Sequence, residues 1–314
     1  VIGFGGGSAM DCAKATAARA GCPNRSLRSM CGNLRILHKL PPIFAVPTTA
    51  GTGSETTLAA VITDDVTRHK VPMNDFALIP SYAVLDPLTT VGLPQSITAS
   101  TGVDALTHAV EAYIGRSTTK QTRAWSIEAV KLIDKYLKRT YDNGGDLEAR
   151  QGMLRAAYLA GASFTRSYVG YCHAVAHSLG GMYDMPHGLT NAVLLPYVLR
   201  AYGSSVYQKL KDLAVAIGLC GQSAPASVAA ELFIRTVEDM NRSMNIPAKL
   251  SGIRMEDIYQ LSKYADHEGN PLYPVPKLMD RKELEQFYVM VSADLETAEK
   301  KEDAAWTQQK LAAS

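Results

Sequence analysis

The spacing of apolar residues divides the chain into two parts. Up to about residue 92, short apolar runs rich in Val, Ile and Tyr alternate with segments rich in Gly, Thr and Ser, which predicts strands that lead through loops into helices. The first helix is predicted from Asp11 to about Ala20. Strands that end in such loops are typical of nucleotide-binding α/β domains. The predicted strands are 1–4, 43–47, 59–63 and 82–85.

From Leu93 onward the apolar spacing becomes helical. Residues 125–137 place their large apolar side chains on one face, and Asn143-Gly144-Gly145 predicts the end of that helix. No strand pattern follows, so the second part is predicted to be all-helical. The further predicted helices are 147–166, 171–182, 189–202, 205–217, 225–243, 255–264 and 281–297.

Composition excludes several classes of protein. Hydrophobic residues make up 46% of the chain and charged residues 20%, which is ordinary for a globular protein. The net charge of +2 comes with basic residues spread along the chain, which argues against nucleic-acid binding, and no apolar run reaches the ~20 residues of a membrane span. A charge run at 299–303 predicts a solvated tail. Five cysteines at irregular spacing indicate reduced thiols, so we expect a cytoplasmic protein.

Residue types that bind metals are concentrated in two phrases in the middle of the chain. Asp104 and His108 are four residues apart on a predicted helix and therefore project from one face. His173 and His177 have the same spacing on a later helix, and His187 follows on a turn. One carboxylate and several imidazoles predict a first-row transition-metal site that suits Fe²⁺, Zn²⁺, Co²⁺ or Mn²⁺.

The spacing leaves three questions about this site open. It does not separate His177 from His173 as a ligand. Glu111 lies three residues after His108, on the same helix face, where it either orients a ligand or caps a helix contact. Cys172 precedes His173 and is a less favoured alternative ligand, since it has no CxxC partner.

Two loops have the composition of a phosphate and ribose cradle. Gly5-Gly6-Gly7-Ser8 ends a strand and opens a helix, where glycines let the backbone approach a diphosphate and the helix N-terminus supplies N–H donors. Thr48–Glu55 follows a strand and adds hydroxyl groups and two glycines. The spacing of the first loop is not GxGxxG, so neither loop is decisive alone. Lys70, taken alone, is predicted to be a surface residue.

These phrases resemble those of the iron-dependent (group III) alcohol dehydrogenases, the group that includes lactaldehyde reductases and butanol dehydrogenases. The resemblance extends over essentially the whole chain. It implies a fold with a partial Rossmann-like nucleotide-binding α/β domain, residues 1–92, followed by an all-helical metal-binding domain, residues 93–314. Relative to that family, we expect the chain to lack an N-terminal segment of the cofactor domain. The matching phrases are Gly5–Lys14, Pro47–Glu55, Asp86-Pro87, Gly102–Glu111 and His173–Gly188.

The resemblance also implies site residues. It implies that His177 is not a ligand and lies beside the substrate. Asp11 matches the family motif and is placed near the first loop. The implied metal ligands are Asp104, His108, His173 and His187. The implied cofactor contacts are Gly6, Gly7 and Ser8 at the diphosphate, Thr48, Thr49 and Thr52 along the nucleotide, and Lys70 at the ribose.

The function implied is reversible hydride transfer between NAD, with NADP left open, and a small primary alcohol or diol, at Fe²⁺ or Zn²⁺. His177 is the candidate for relaying the released proton. The family resemblance further implies a homodimer. The alternatives are a hydroxyacid–oxoacid transhydrogenase of the same fold, a metal-dependent hydrolase or lyase, and an inactive fragment.

Overall fold

The computed structural model describes residues 1–63 and 70–295, and its strands lie in the N-terminal third of the chain. Three strands form a parallel sheet in the order β1-β3-β6, with Ile2 opposite Phe44. A second sheet has the order β2-β5-β4, in which β5 is parallel to β2 and antiparallel to β4. The strands are β1 (Ile2–Gly5), β2 (Gly32–Asn33), β3 (Phe44–Pro47), β4 (Ala59–Thr63), β5 (Lys70–Asn74) and β6 (Tyr82–Ala83).

The first helix, α1 (Gly7–Gly21), begins directly after β1 and packs against it. Its buried face is lined mainly by alanines, whose small side chains allow a close approach to the strand. A Cβ on Gly3 would lie only 3.0 Å from the Cβ of Ala13. A short helix, α2 (Leu27–Met30), follows before β2. The backbone between β1 and α1 therefore lies at the carboxyl end of a parallel strand, where α/β folds bind ligands.

The remainder of the described chain is helical, and the bulk of the hydrophobic core lies there. Helix α3 is buried along most of its length and contacts several neighbours closely. A Cβ on Gly102 of α3 would lie 2.2 Å from Leu137 of α4. The helices are α3 (Gln95–Ile114), α4 (Lys120–Asp142), α5 (Leu147–Ser167), α6 (Tyr171–Tyr183), α7 (His187–Tyr202), α8 (Tyr207–Ala216), α9 (Ala226–Ser243), α10 (Ile258–Gly269) and α11 (Arg281–Val291).

The fold class predicted from the sequence is confirmed, and the differences are local. Helix α4 begins at Lys120, before the apolar face of residues 125–137, because Thr119 forms a capping box with Thr122. Strands β2 and β5 were not predicted. The former has two residues and the latter contains Pro72, which weakens any strand pattern.

The division at residue 92 stays a prediction, and the charge run at 299–303 lies outside the described residues. No helix in the described ranges is long and apolar enough to cross a membrane.

Candidate active site

Four side chains from three helices converge at one point in the helical part. Asp104 and His108 come from α3, His173 from α6, and His187 is the first residue of α7. One nitrogen or oxygen atom of each residue lies within 4.8 Å of those of the other three. Ligands that share one ion at ~2.1 Å lie at most about 4.2 Å apart, so only small movements would be needed to close around a cation.

Close helix contacts bring these residues together. The N-terminus of α7 approaches α3 so nearly that a Cβ on Gly188 would lie 2.6 Å from the carbonyl oxygen of Ser100. This contact places His187 Nε2 3.6 Å from Asp104 Oδ1. At the start of α6, a Cβ on Gly170 would lie 2.8 Å from the carboxylate of Glu111. The neighbour of Gly188 is backbone, so glycine is required there for α7 to meet α3, whereas a Cβ on Gly170 would displace the Glu111 carboxylate.

Glu111 fixes His173 from the side opposite the cluster. Its Oε2 lies 2.6 Å from His173 Nδ1 and accepts the Gly170 N–H at 2.8 Å, while Oε1 accepts the Cys172 N–H at 2.8 Å. Burial raises the pKa of Glu111 to about 7, although these hydrogen bonds act in the opposite direction. Glu111 thus has both roles considered for it, since it orients His173 and caps the N-terminus of α6.

Two ring nitrogens in the cluster satisfy a test for metal binding. His108 Nδ1 and His173 Nε2 are buried and have no hydrogen-bond partner among the described residues. Burial lowers the pKa of both imidazoles, that of His173 the more strongly. Neutral imidazoles with an unshared electron pair are the form that binds a metal. The donor set of one carboxylate and three imidazoles therefore fits Fe²⁺ or Zn²⁺.

Two further residues support the cluster and were missed in the sequence. Phe164 of α5 stacks on His108, with ring centroids 4.3 Å apart. Asn191 of α7 places Nδ2 2.8 Å from Asp104 Oδ1 and 3.0 Å from His187 Nε2. Asn191 follows His187 by four residues, a helix spacing that could have indicated it. No sequence pattern links Phe164 to His108, since their helices meet only in the tertiary fold.

Cys172 is placed away from the cluster. Its Sγ lies 3.5 Å from the carbonyl oxygen of Asn191. Burial raises the pKa of this thiol well above its ordinary value, and the nearby Glu111 and Asp104 add to the shift. The thiolate form that a metal requires is therefore disfavoured.

His177 lies at the rim of the cluster. Its side chain is 44% exposed, and its ring centroid is 5.0 Å from that of His187. Its Nδ1 lies 2.6 Å from Glu268 Oε1, an oxygen that also accepts the Tyr273 hydroxyl at 2.6 Å. Burial acts to lower the pKa of His177, but Glu268, Asp104 and Glu111 together outweigh it and raise that pKa. The geometry thus separates His177 from His173, which the spacing could not do.

The two loops predicted to hold a cofactor lie side by side. Gly6 is the N-cap of α1, and Gly7 and Ser8 form its first turn. A Cβ on Gly6 would lie 3.7 Å from Thr49, and one on Gly7 would lie 3.1 Å from Thr52. The segment Thr48–Thr52 follows β3 directly. A helix N-terminus and threonine side chains are therefore adjacent, and the N–H donors of a helix N-terminus are a common feature of diphosphate sites.

The second loop also packs against the helices that carry the cluster. A Cβ on Gly51 would lie 2.6 Å from Thr101 Cβ on α3, one turn before Asp104, and one on Gly53 would lie 2.7 Å from Gly161 Cα on α5. These two loops and the cluster therefore belong to one continuous region. The Lys70 side chain lies outside the described residues, so its role stays a prediction.

The fold and this site define an α/β and helical protein in which three histidines and one aspartate converge near two loops that follow parallel strands. Two family models match the chain: "Iron-containing alcohol dehydrogenase" over residues 1–87 and "Fe-containing alcohol dehydrogenase family, C-terminal" over residues 98–291. The chain belongs to the iron-containing alcohol dehydrogenase family, and the resemblance drawn from the sequence is confirmed.

Individual relatives agree with this assignment. The 1,3-propanediol dehydrogenase of Citrobacter freundii is 38% identical over 290 residues, which cover 92% of this chain and 74% of the relative. A crystal structure of 1,3-propanediol oxidoreductase matches with a TM-score of 0.87 and 36% identity, over 92% of this chain and 76% of that chain. The sulfoacetaldehyde reductase of Bifidobacterium kashiwanohense, solved in complex with NAD⁺, matches with a TM-score of 0.81 and 29% identity, over 93% of this chain and 76% of that chain.

Proposed function

We propose that this chain catalyses the reversible, NAD(P)-linked oxidation of a small primary alcohol or diol to the aldehyde. In this proposal Fe²⁺ or Zn²⁺ is held by Asp104, His108, His173 and His187. The observation that carries it is the convergence of these four side chains, with two buried imidazole nitrogens left without a hydrogen-bond partner within the described ranges. Family membership and the two adjacent loops support the hydride-transfer chemistry.

The protein's own residues have distinct tasks in this reaction. When bound, the metal would supply Lewis acidity at the alcohol oxygen, and a nicotinamide would supply the hydride-accepting group. Glu111 holds His173 with Nε2 toward the cluster, and Asn191 donates a hydrogen bond to Asp104. His177, held at Nδ1 by Glu268, would take the alcohol proton at Nε2 and pass it to solvent, to which its side chain is open.

The loops define the proposed cofactor contacts. We assign Gly6, Gly7 and Ser8 to the diphosphate, because they form the N-terminus of a 15-residue helix. Thr48, Thr49 and Thr52 are assigned to the nucleotide. NAD is the preferred cofactor, supported by the NAD⁺ complex of the sulfoacetaldehyde reductase. Lys70 at the ribose, a homodimer and a cytoplasmic location stay predictions.

The deciding experiment measures metal content and turnover together. We expect the chain to bind one Fe²⁺ or Zn²⁺ and to form NADH from 1,3-propanediol or 1-butanol, and His187→Ala to lose most of both. Full metal content and an unchanged rate in His187→Ala would refute the assignment. Turnover of an alcohol with a keto acid, without added NAD, would instead identify a transhydrogenase. Failure to bind NADH would favour a hydrolase or lyase, and a melting temperature that Fe²⁺ and Zn²⁺ leave unchanged would favour an inactive fragment.

A further inference from the structure

A lysine ammonium is fully buried behind the two cofactor loops. Lys14 lies on α1, two turns after the first loop, Gly5–Ser8 (the glycine loop), and its side chain has 0% relative exposure. Its Nζ donates to Ser54 Oγ at 3.0 Å and to the carbonyl of Ala59 at 2.8 Å. Thr57 supplies two more acceptors, its carbonyl at 3.0 Å and its hydroxyl at 2.8 Å. The ammonium therefore links α1 to the C-terminal end of the second loop, Thr48–Glu55 (the threonine loop), and to the residues that follow it.

Asp11 completes this connection one turn earlier on the same helix. Its Oδ1 accepts the Ser54 hydroxyl at 2.8 Å, and its Oδ2 accepts the Val61 N–H at 3.1 Å. Ser54 Oγ thus accepts from Lys14 and donates to Asp11, so that both charged side chains hold one residue of the loop. Asp11 is used internally here, and any direct contact with a cofactor stays a prediction.

The anchored residue is adjacent to the proposed cofactor contacts. The Ser54 N–H donates to Thr52 Oγ1 at 3.3 Å, and Thr52 is the residue that a Cβ on Gly7 would approach to 3.1 Å. On its other side the loop is held by the contacts of Gly51 with α3 and of Gly53 with α5. Helix α1 consequently carries both the first cofactor loop and the anchor that sets where the second loop lies.

A purely structural role explains the choice of lysine poorly. Burial lowers the pKa of Lys14 to about 8, even though Asp11 and Glu55 act to raise it. An apolar side chain of similar length would fill the same space without that desolvation cost. What it would not do is hold the hydroxyl and the carbonyls of the threonine loop at defined positions.

We propose that Lys14, acting through Ser54 together with Asp11, is a positioning residue that sets the separation of the glycine and threonine loops and thereby the affinity for the dinucleotide. This inference rests on the proposed function, because it assigns the two loops to the cofactor. The proposed role of Lys14 affects cofactor binding and not the chemical step, so a substitution should change the affinity for the dinucleotide and leave kcat nearly unchanged.

The test uses the 314-residue chain with Lys14→Met, which keeps the length of the side chain and removes its charge and donors. NADH fluorescence titration should show Kd raised about tenfold, the loss expected when roughly one net hydrogen bond's worth of positioning is removed. Bound metal and kcat at saturating NAD should change by less than twofold, while KM for NAD rises with Kd. Amide hydrogen exchange in residues 48–57 should become faster in the cofactor-free protein.

Two further variants keep the test decisive. Ser54→Ala serves as the test variant if Lys14→Met does not fold. It removes one acceptor of Lys14 and the donor to Asp11, and should raise the Kd for NADH about threefold. Lys209→Met is the matched control, because Lys209 also donates to two backbone carbonyls, those of Ile114 and Gly115, far from the loops. We expect it to lower stability and leave the NADH Kd unchanged.

The outcomes distinguish this inference from the proposed function. An unchanged Kd and unchanged exchange in residues 48–57, in Lys14→Met or in Ser54→Ala, would overturn the positioning role even if the melting temperature fell. A chain that binds no NADH before substitution would overturn the proposed function. Faster loop exchange in Lys14→Met would then still support Lys14 as the anchor of the loop but not as a determinant of cofactor affinity.

Discussion

Replacing Glu111 with Gln exchanges one buried carboxylate oxygen for an amide NH₂ and changes little else in shape. Oε2 receives two donors, the Gly170 N–H and the His173 Nδ1–H, and Oε1 receives the Cys172 N–H. An amide can present its oxygen to only one of these positions. The better orientation keeps the oxygen at the Oε2 position, so that the Cys172 N–H faces an NH₂ group and loses its acceptor.

Two contributions to stability oppose each other in this variant. An unsatisfied buried donor costs about 1–3 kcal/mol. Glu111, however, has its pKa raised to about 7 from 4.5, so keeping it ionised above that pH costs the metal-free chain about 3 kcal/mol. Gln removes this second cost. The unfolding free energy of metal-free Glu111→Gln near pH 8 should therefore lie within roughly 2 kcal/mol of the original chain.

Metal affinity should respond much more strongly than stability. The carboxylate keeps the proton of His173 on Nδ1 and makes Nε2 more basic, which a neutral amide does less well. Loss of such a partner typically lowers metal affinity about 10- to 100-fold. Competition with a chromophoric chelator would measure Zn²⁺ affinity, and urea unfolding of the metal-free protein would measure stability. Glu128→Gln is the control, since Glu128 is partly exposed and forms a 3.5 Å ion pair with Arg155.

Either of two results would refute this reasoning. Unchanged Zn²⁺ affinity in Glu111→Gln would mean that the hydrogen bond to His173 does not tune a ligand. A loss of more than about 4 kcal/mol in the metal-free protein would mean that Glu111 serves mainly to hold α6 in place.

Three other predictions follow from the same geometry. Burial raises the pKa of Glu55 to about 7 from 4.5, so the protonated side chain stabilises the fold fully below pH 4.5, and this stabilisation is lost as pH rises through 7. Urea unfolding should show that Glu55→Gln removes about 3 kcal/mol of the resulting decline in unfolding free energy. An unchanged pH profile would contradict the assignment. Gly188→Ala would place a Cβ 2.6 Å from a backbone oxygen of α3 and so displace His187; elemental analysis should show metal content reduced about tenfold, and full occupancy would argue against a ligand role. Glu268→Gln should lower kcat about tenfold through the orientation of His177 without loss of bound metal, and an unchanged kcat would exclude His177 from proton transfer.

The candidate cluster shows how far helix periodicity reaches. Asp104 and His108 are four apart, so any helix through them puts both side chains on one face, whatever surrounds it. The same rule applied to His173 and His177 gives two equivalent candidates. They differ in the fold because α6 packs with His173 toward α3 and Glu111, while His177, one turn further on, lies at the exposed rim beside Glu268.

The sequence by itself determined what local spacing and residue type can encode. It predicted the change from strand to helix patterns near residue 92, the glycine and threonine loops, and the set of side chains able to bind a metal. Only the tertiary structure decided which of these groups meet, because helix contacts join residues distant in the chain. Glu111 reaches His173, Phe164 covers His108, and Lys14 anchors Ser54 through close packing that no short pattern records.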